Sequence, residues 1–234
     1  IDINLENTTI ESGPLHEENN IPRESFINCN QLESIILPKN TNVILFSAFE
    51  GCSNLKNIKI PATLSFIDSH SFRFCTSLTE FKFPDNHILL NSGSFLGCTA
   101  LKELEFPDGV LIFRDAFSGC ILDKVILPSN YDLGAKAFSQ CYIKEIYCKG
   151  EPSNITEDTF EEGIKKNTVV YIPKGTLNKY TSWSTPCWPE FKTLKEYETS
   201  TSNQNISTYS CKIIPEHKSL KIITNKTDNI SMAF

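Results

Sequence analysis

Apolar and polar positions in this chain recur on a fixed ruler. Phe26, Phe49, Phe72, Phe95, Phe117, Phe138 and Phe160 follow one another at intervals of 23, 23, 23, 22, 21 and 22 residues. The neighbours of each Phe keep their places. A small residue stands just before it (Ser25, Ala48, Ser71, Ser94, Ala116, Ala137, Thr159), and an aliphatic one five before (Ile21, Ile44, Ile67, Leu90, Ile112, Leu133, Ile155). Three residues after the first six come Cys29, Cys52, Cys75, Cys98, Cys120 and Cys141; after the seventh comes Gly163. Leu32, Leu55, Leu78 and Leu101 follow. Then come alternating apolar pairs: Ile35/Leu37, Ile58/Ile60, Phe81/Phe83, Leu104/Phe106, Val125/Leu127 and Ile146/Cys148. Pro38, Pro61, Pro84, Pro107 and Pro128 close the first five pairs.

This alternation, stopped where proline removes a donor, predicts one short strand per repeat. Such a strand cannot bury its apolar face alone. Stacked copies bury it as one long parallel sheet with strands about 4.7–4.9 Å apart, and the Phe and aliphatic positions become two further apolar columns inside the coil. Each buried Phe contributes about 1.5–3 kcal/mol before entropy is subtracted. The cysteines then form a structural ladder at an inward corner, Cys29, Cys52, Cys75, Cys98, Cys120 and Cys141, where a small, weakly hydrogen-bonding group fits. Zinc calls for cysteine pairs two to four apart, which the chain lacks. Disulfides between successive copies are disfavoured because parallel side chains one rung apart keep their Cβ atoms farther apart than the mean of about 3.8 Å. Buried, reduced thiols are expected. Cys148, Cys187 and Cys211 lie off the ladder, and a Cys187–Cys211 bridge stays open.

Composition narrows the picture further. The 234 residues suffice for one extended domain or two compact ones, and 16 Phe supply much of the core. With 22 basic and 28 acidic residues the net charge is −6, which gives no reason to expect a nucleic-acid partner. No apolar run approaches the roughly 18 residues of a membrane helix. The first residue is Ile1, without Met or a charged-then-apolar leader, so the chain reads as a mature or trimmed piece.

The units "AFEGCSNLKNIKIP", "SFLGCTALKELEFP" and "AFSGCILDKVILP" resemble the leucine-rich repeats of the BspA-like class, over about residues 20–196. Residues 169–198 are similar to the closing segment of many such proteins, in which Trp183, Trp188 and Phe191 would cover the open end of the stack. The fold expected is a leucine-rich repeat solenoid of about seven units. It would be mainly β, with a parallel concave sheet, an irregular or short-helical convex side, and a C-terminal cap. Five segments are expected: a lead-in or partial repeat at 1–19, the repeats at 20–173, the cap at 174–198, a linker at 199–205, and a short β-rich tail or truncated further domain at 206–234. Repeats five and six drop one residue after the Cys, so the turn into the strand should tighten there.

In such a solenoid the residues between the buried strand positions point outward and form columns. The candidate concave surface comprises Lys56, Asn57, Lys59, Glu80, Lys82, Glu103, Glu105, Ile126, Tyr147 and Tyr171. Most of it reads as a solvated, mixed-charge face. Ile126, Tyr147 and Tyr171 would place three exposed apolar groups side by side, unless the tail covers them. Catalysis finds no support: the four His are scattered, and neither a nucleophile motif nor a phosphate loop occurs, so no cofactor or metal is expected. The resemblance implies a secreted or cell-surface protein that binds proteins, as an adhesin toward host matrix or surface partners. A glycan-recognition or accessory module of a larger surface protein is the second expectation, and an intracellular scaffold, which suits reduced thiols, the third.

Overall fold

The structure, a computed structural model, describes residues 1–10, 18–156, 158–182 and 187–198, together with the backbone of 210–216 and 219–225. Successive turns of the coil build two parallel columns of strands. The first column begins with β1 (Asp2–Asn4), β3 (Ser34–Ile36) and β5 (Asn57–Lys59). It resumes with β8 (Glu103–Glu105), β10 (Ile121–Leu127), β12 (Tyr142–Cys148), β14 (Val169–Pro173) and β15 (Thr193–Tyr197). The hairpin β16 (Ser210–Glu216) and β17 (Ser219–Asn225) then adds antiparallel to β15. The second column has seven strands: β2 (Asn20–Ile21), β4 (Val43–Ile44), β6 (Phe66–Ile67), β7 (Leu89–Leu90), β9 (Val110–Ile112), β11 (Tyr131–Leu133) and β13 (Asn154–Ile155). Among the described residues, helix is confined to α1 (Glu162–Asn167), α2 (Leu177–Tyr180) and one 3-10 turn at Trp188–Glu190.

The side opposite the long strands is therefore more regular than expected. It carries a second parallel sheet of two- and three-residue strands, followed by an arc of turns that holds the Phe. The arc is itself hydrogen-bonded from repeat to repeat. The Phe49 N–H donates to the Ser71 carbonyl (2.8 Å), Phe72 to Ser94 (2.7 Å) and Phe95 to Ala116 (2.7 Å). Two residues either side of each of the first six Phe the chain turns left-handed, as at Ser47 and Gly51, His70 and Phe74, Gly93 and Gly97. Gly97 also faces the Phe74 ring, which a Cβ there would meet at 2.6 Å.

Inside the coil the phenyl rings stack. From Phe26 to Phe160 successive centroids lie 4.9, 5.2, 5.1, 5.1, 5.4 and 5.4 Å apart, with interplanar angles of 14° or less. Beyond Phe160 the stack ends on Phe191 (5.4 Å) and Trp188 (5.9 Å), both buried, with Tyr180 against Trp188. Trp183 lies outside the described residues.

The cysteine ladder has a specific job. Each of the first five Phe carbonyls accepts the N–H of its own Cys and, through its second lone pair, the thiol of the next repeat's Cys. Cys52 donates to the Phe26 carbonyl (3.0 Å), Cys75 to Phe49 (3.2 Å), Cys98 to Phe72 (3.0 Å), Cys120 to Phe95 (3.3 Å) and Cys141 to Phe117 (3.0 Å). Cys29 departs from the expected burial. It belongs to the first Phe repeat, has no preceding Phe carbonyl to donate to, and is exposed; Cys141 is half-buried. Cys187 is a free buried thiol, whereas the side chain of Cys211 lies outside the described residues. In repeats five and six the shortened link straightens instead of tightening. The turn between Cys and strand disappears, and β10 and β12 start directly after Cys120 and Cys141.

Two outcomes follow from this core. Phe95→Ala, in mid-stack, should cost about 3–5 kcal/mol in urea unfolding, and Phe26→Ala clearly less, since Phe26 is half-buried. The second outcome concerns the thiols. Burial pushes those of Cys52 and Cys141 up to about 12, and those of Cys75, Cys98 and Cys120 well above the ordinary range. A group whose pKa is higher folded than unfolded stabilises fully below the unfolded value, here about 8.5, and loses that contribution as pH climbs through the folded one. Stability should thus fall with rising pH above about 8.5. Iodoacetamide with peptide mapping should label Cys29 well before Cys75, Cys98 or Cys120; equal labelling would refute the buried ladder.

Candidate functional site

The outward positions of the long strands stand in strict register. Ile36 lies opposite Lys59. Farther along, Glu105, Ile126, Tyr147, Tyr171 and Lys195 occupy one row, and Glu103, Lys124 and Glu145 the next. Lys56, Asn57, Lys59, Glu80, Lys82, Glu103 and Glu105 are all exposed. The lysines among them are matched by carboxylates: Lys56 with Glu33 (2.7 Å), Lys59 with Glu6 (3.1 Å), Lys82 with Glu80 (3.6 Å), and Lys149 nearby with Glu105 (2.7 Å). Hydrogen bonds from Lys59 and Lys56 hold the carboxyls of Glu6 and Glu33 below the usual carboxylate range. These pairs are solvent-exposed and contribute little stability; their effect is to leave the face without surplus positive charge.

The aromatic end of the row differs from expectation. Tyr171 is only 7% exposed, and Tyr147 and Ile126 are half-buried. The reason is mutual cover. The Tyr147 and Tyr171 rings stack at 4.4 Å, Tyr197 meets Tyr147 edge-on at 6.0 Å, and the ammoniums of Lys124 and Lys195 sit over the two rings at 4.8 and 5.5 Å. Both phenol hydroxyls donate to the Glu145 carboxylate, at 3.2 and 3.4 Å. Desolvation, reinforced by that carboxylate, raises the pKa of both phenols. The faces of the Tyr147 and Tyr171 rings are thus taken up within this group. Side chains of the tail lie outside the described residues.

Between the two parts of the long-strand column, repeat three does not pair. Apart from the Thr79 N–H, which reaches the Lys56 carbonyl at 3.3 Å, no backbone hydrogen bond joins residues 80–83 to either neighbour among the described residues. The cause lies beneath. Phe81 sits edge-on between Phe72 (5.3 Å) and Phe95 (4.8 Å), and Phe83 packs on Phe106 (5.2 Å). Rings occupy positions where the preceding rung carries Ile58 and Ile60, and they hold the main chain out of the ladder. A cleft of about 840 Å³ opens there, lined by Glu80, Lys82, Glu103, Glu105 and the turn residues Asp85 to His87, among others. The interruption separates Lys56, Asn57 and Lys59 from the rows running through Glu103 to Tyr171.

A second outward row escaped the sequence reading. Val43, Phe66, Leu89 and Leu111 are in register on the short-strand sheet; Leu111 is exposed and the others are half-buried. The signal was available as apolar doublets, Val43-Ile44, Phe66-Ile67, Leu89-Leu90 and Leu111-Ile112, of which only the second members were used. Among the described residues, no three His, Cys, Asp or Glu side chains group to hold a metal ion, and no helix is long and apolar enough to cross a membrane.

The amides of Glu80 to Phe83 should exchange with deuterium far faster than those of Val125 and Ile146, which lie in paired strands. Equal protection would mean that repeat three pairs after all.

Comparisons with known proteins fit this architecture. The sequence profile of the BspA type Leucine rich repeat region matches in six copies, over residues 19–143 and 111–234. No curated protein matches the chain. Among solved structures, a leucine-rich repeat protein from Bacteroides ovatus aligns with a TM-score of 0.59 at 24% identity, over 74% of this chain and 47% of that one. A leucine rich cell surface protein of Faecalibacterium prausnitzii gives 0.46 at 19%, over 74% and 63%. The leucine-rich repeat protein of Treponema pallidum gives 0.43 at 21%, over 64% and 60%. The chain thus spans roughly half to two thirds of the length of these relatives. With the profile covering the chain from residue 19 to its end and the stacked repeats in place, this protein belongs to the BspA-type leucine-rich repeat family.

Proposed function

We propose that the chain is a protein-binding module of a secreted or surface-exposed protein, adhesin-like in its choice of matrix or cell-surface partners. The observation that carries the reading is the long-strand face. Its outward side chains are fixed in rows by the ladder, exposed along most of its length, and largely uncommitted to the core. A rigid array of this kind presents contacts without a large ordering cost on binding. Stacking of Tyr147 on Tyr171 favours a protein partner over a glycan, because neither ring keeps a free face.

The thiol ladder is compatible with an oxidising exterior. Cys75, Cys98 and Cys120 are buried and held protonated, and neutral thiols neither attack disulfides nor oxidise readily. Buried thiols of this kind therefore do not by themselves argue for an intracellular scaffold; the exposed Cys29 is the ladder thiol to which this does not apply.

The test is binding of the purified chain to immobilised fibronectin and fibrinogen by biolayer interferometry, with albumin as control and at two salt concentrations. Saturable binding that weakens with salt is expected, since the face is charged. Signals no greater than on albumin would sink the matrix-binding reading and turn attention to glycan arrays.

A further inference from the structure

We propose that the cleft over the unpaired third repeat is a docking site for an extended segment of a partner protein rich in lysine or arginine. This rests on the protein-binding reading above and specifies where and what the face binds. Four observations converge on it. The cleft is large, at about 840 Å³, and the residues whose main chain is unpaired, Glu80 to Phe83, line it. Unpaired peptide groups gain hydrogen bonds when an extended chain is laid beside them.

The charge around the cleft is one-sided. Lys82 and Lys149 are each already held by a carboxylate, Glu80 and Glu105. Glu103, Asp85 and Asp108, which also line the cleft, have no cation within salt-bridge distance among the described residues. Asp108 accepts only the backbone N–H groups of Ser129 (2.8 Å) and Asn130 (3.3 Å). Three carboxylates are thus uncompensated.

A separate signal comes from Asn86, also in the lining. Its side-chain N–H donates to the Ala62 carbonyl at 2.9 Å, but its Oδ1 is buried without a donor. A buried acceptor without a donor is costly, and a local shift that opens it to the cleft would let an incoming N–H satisfy it. Half-buried Phe83 and Ile126 supply apolar surface against which long aliphatic stems can lie. The acidic lining disfavours a second copy of this chain, whose net charge is −6, and selects a basic occupant.

The experiment uses the full chain and three fluorescein-labelled heptapeptides: alternating lysine–valine, alternating glutamate–valine, and alternating lysine–proline. The last keeps the charge and removes every second backbone donor. Anisotropy at low salt should show saturable binding of lysine–valine, at least about tenfold weaker binding of lysine–proline, and none of glutamate–valine. Glu103→Lys combined with Asp85→Lys should weaken lysine–valine binding by at least about tenfold. Asp132→Lys, exposed on the short-strand sheet, should leave it unchanged. Circular dichroism confirms that the variants fold. Absence of lysine–valine binding, equal binding by the doubly substituted chain, or equal affinity for lysine–proline would overturn the proposal. The two readings fail separately. Matrix binding that survives the double substitution removes the cleft alone. Peptide binding without matrix binding removes the matrix partner and keeps the cleft.

Discussion

Stacked phenyl rings at 4.9–5.4 Å set the pitch of this molecule. That spacing is close to the separation of hydrogen-bonded strands, about 4.7–4.9 Å, so one Phe per turn can stay in face contact while two strand columns stay paired. Other choices follow from it. From the second repeat on, Ala, Ser or Thr precedes the Phe at a fully buried position where the side chain lies against the preceding repeat's backbone, as Ser71 Oγ does in donating to the Leu45 carbonyl and Thr159 Oγ1 to that of Gly134. A thiol must sit three residues on, because the Phe carbonyl keeps a lone pair that only the adjacent turn can reach. The count between Phe residues can shrink from 23 to 21 because one residue can be lost from the link to the long strand, where β10 and β12 absorb it, and another from the stretch after that strand, as between Leu127 and Phe138.

Most of this was legible from spacing alone. The Phe, Cys and aliphatic columns are a one-dimensional signal, and the coil converts it directly into three dimensions. What stayed hidden depends on contacts between rows. The strands of the short-strand sheet are two or three residues long, below the length at which alternation can be read. Phe81 and Phe83 read as good strand residues, as each is singly; only their meeting with Phe72, Phe95 and Phe106 shows that the ladder cannot close over them. Tyr171 occupies an outward position and is buried all the same, because its neighbour one rung away is another tyrosine. Cys29 obeys the motif and is exposed, because the acceptor for its thiol would come from a repeat with no Phe.

Charge on the long-strand face is organised along the same rows. Cations stand one rung or one residue from carboxylates and are largely cancelled, while the surplus carboxylates collect where pairing stops. The short-strand sheet is its opposite in character, with an apolar row and few charges. The two faces of the coil therefore offer different chemistry, and substitutions on one can be made without disturbing the other.

The crowded rings of repeat three bear also on how the chain finds its alignment. Rungs built from one motif are nearly interchangeable, and a growing stack could pair one repeat out of step at little cost. Phe81, Phe83 and Phe106 break that equivalence. Shifted by a repeat, they would meet Ile58 and Ile60 or Val125 and Leu127, and the interlocked cluster could not form. An otherwise periodic molecule thereby acquires an origin, and the segment that leaves the ladder serves as the mark from which the other rungs are counted.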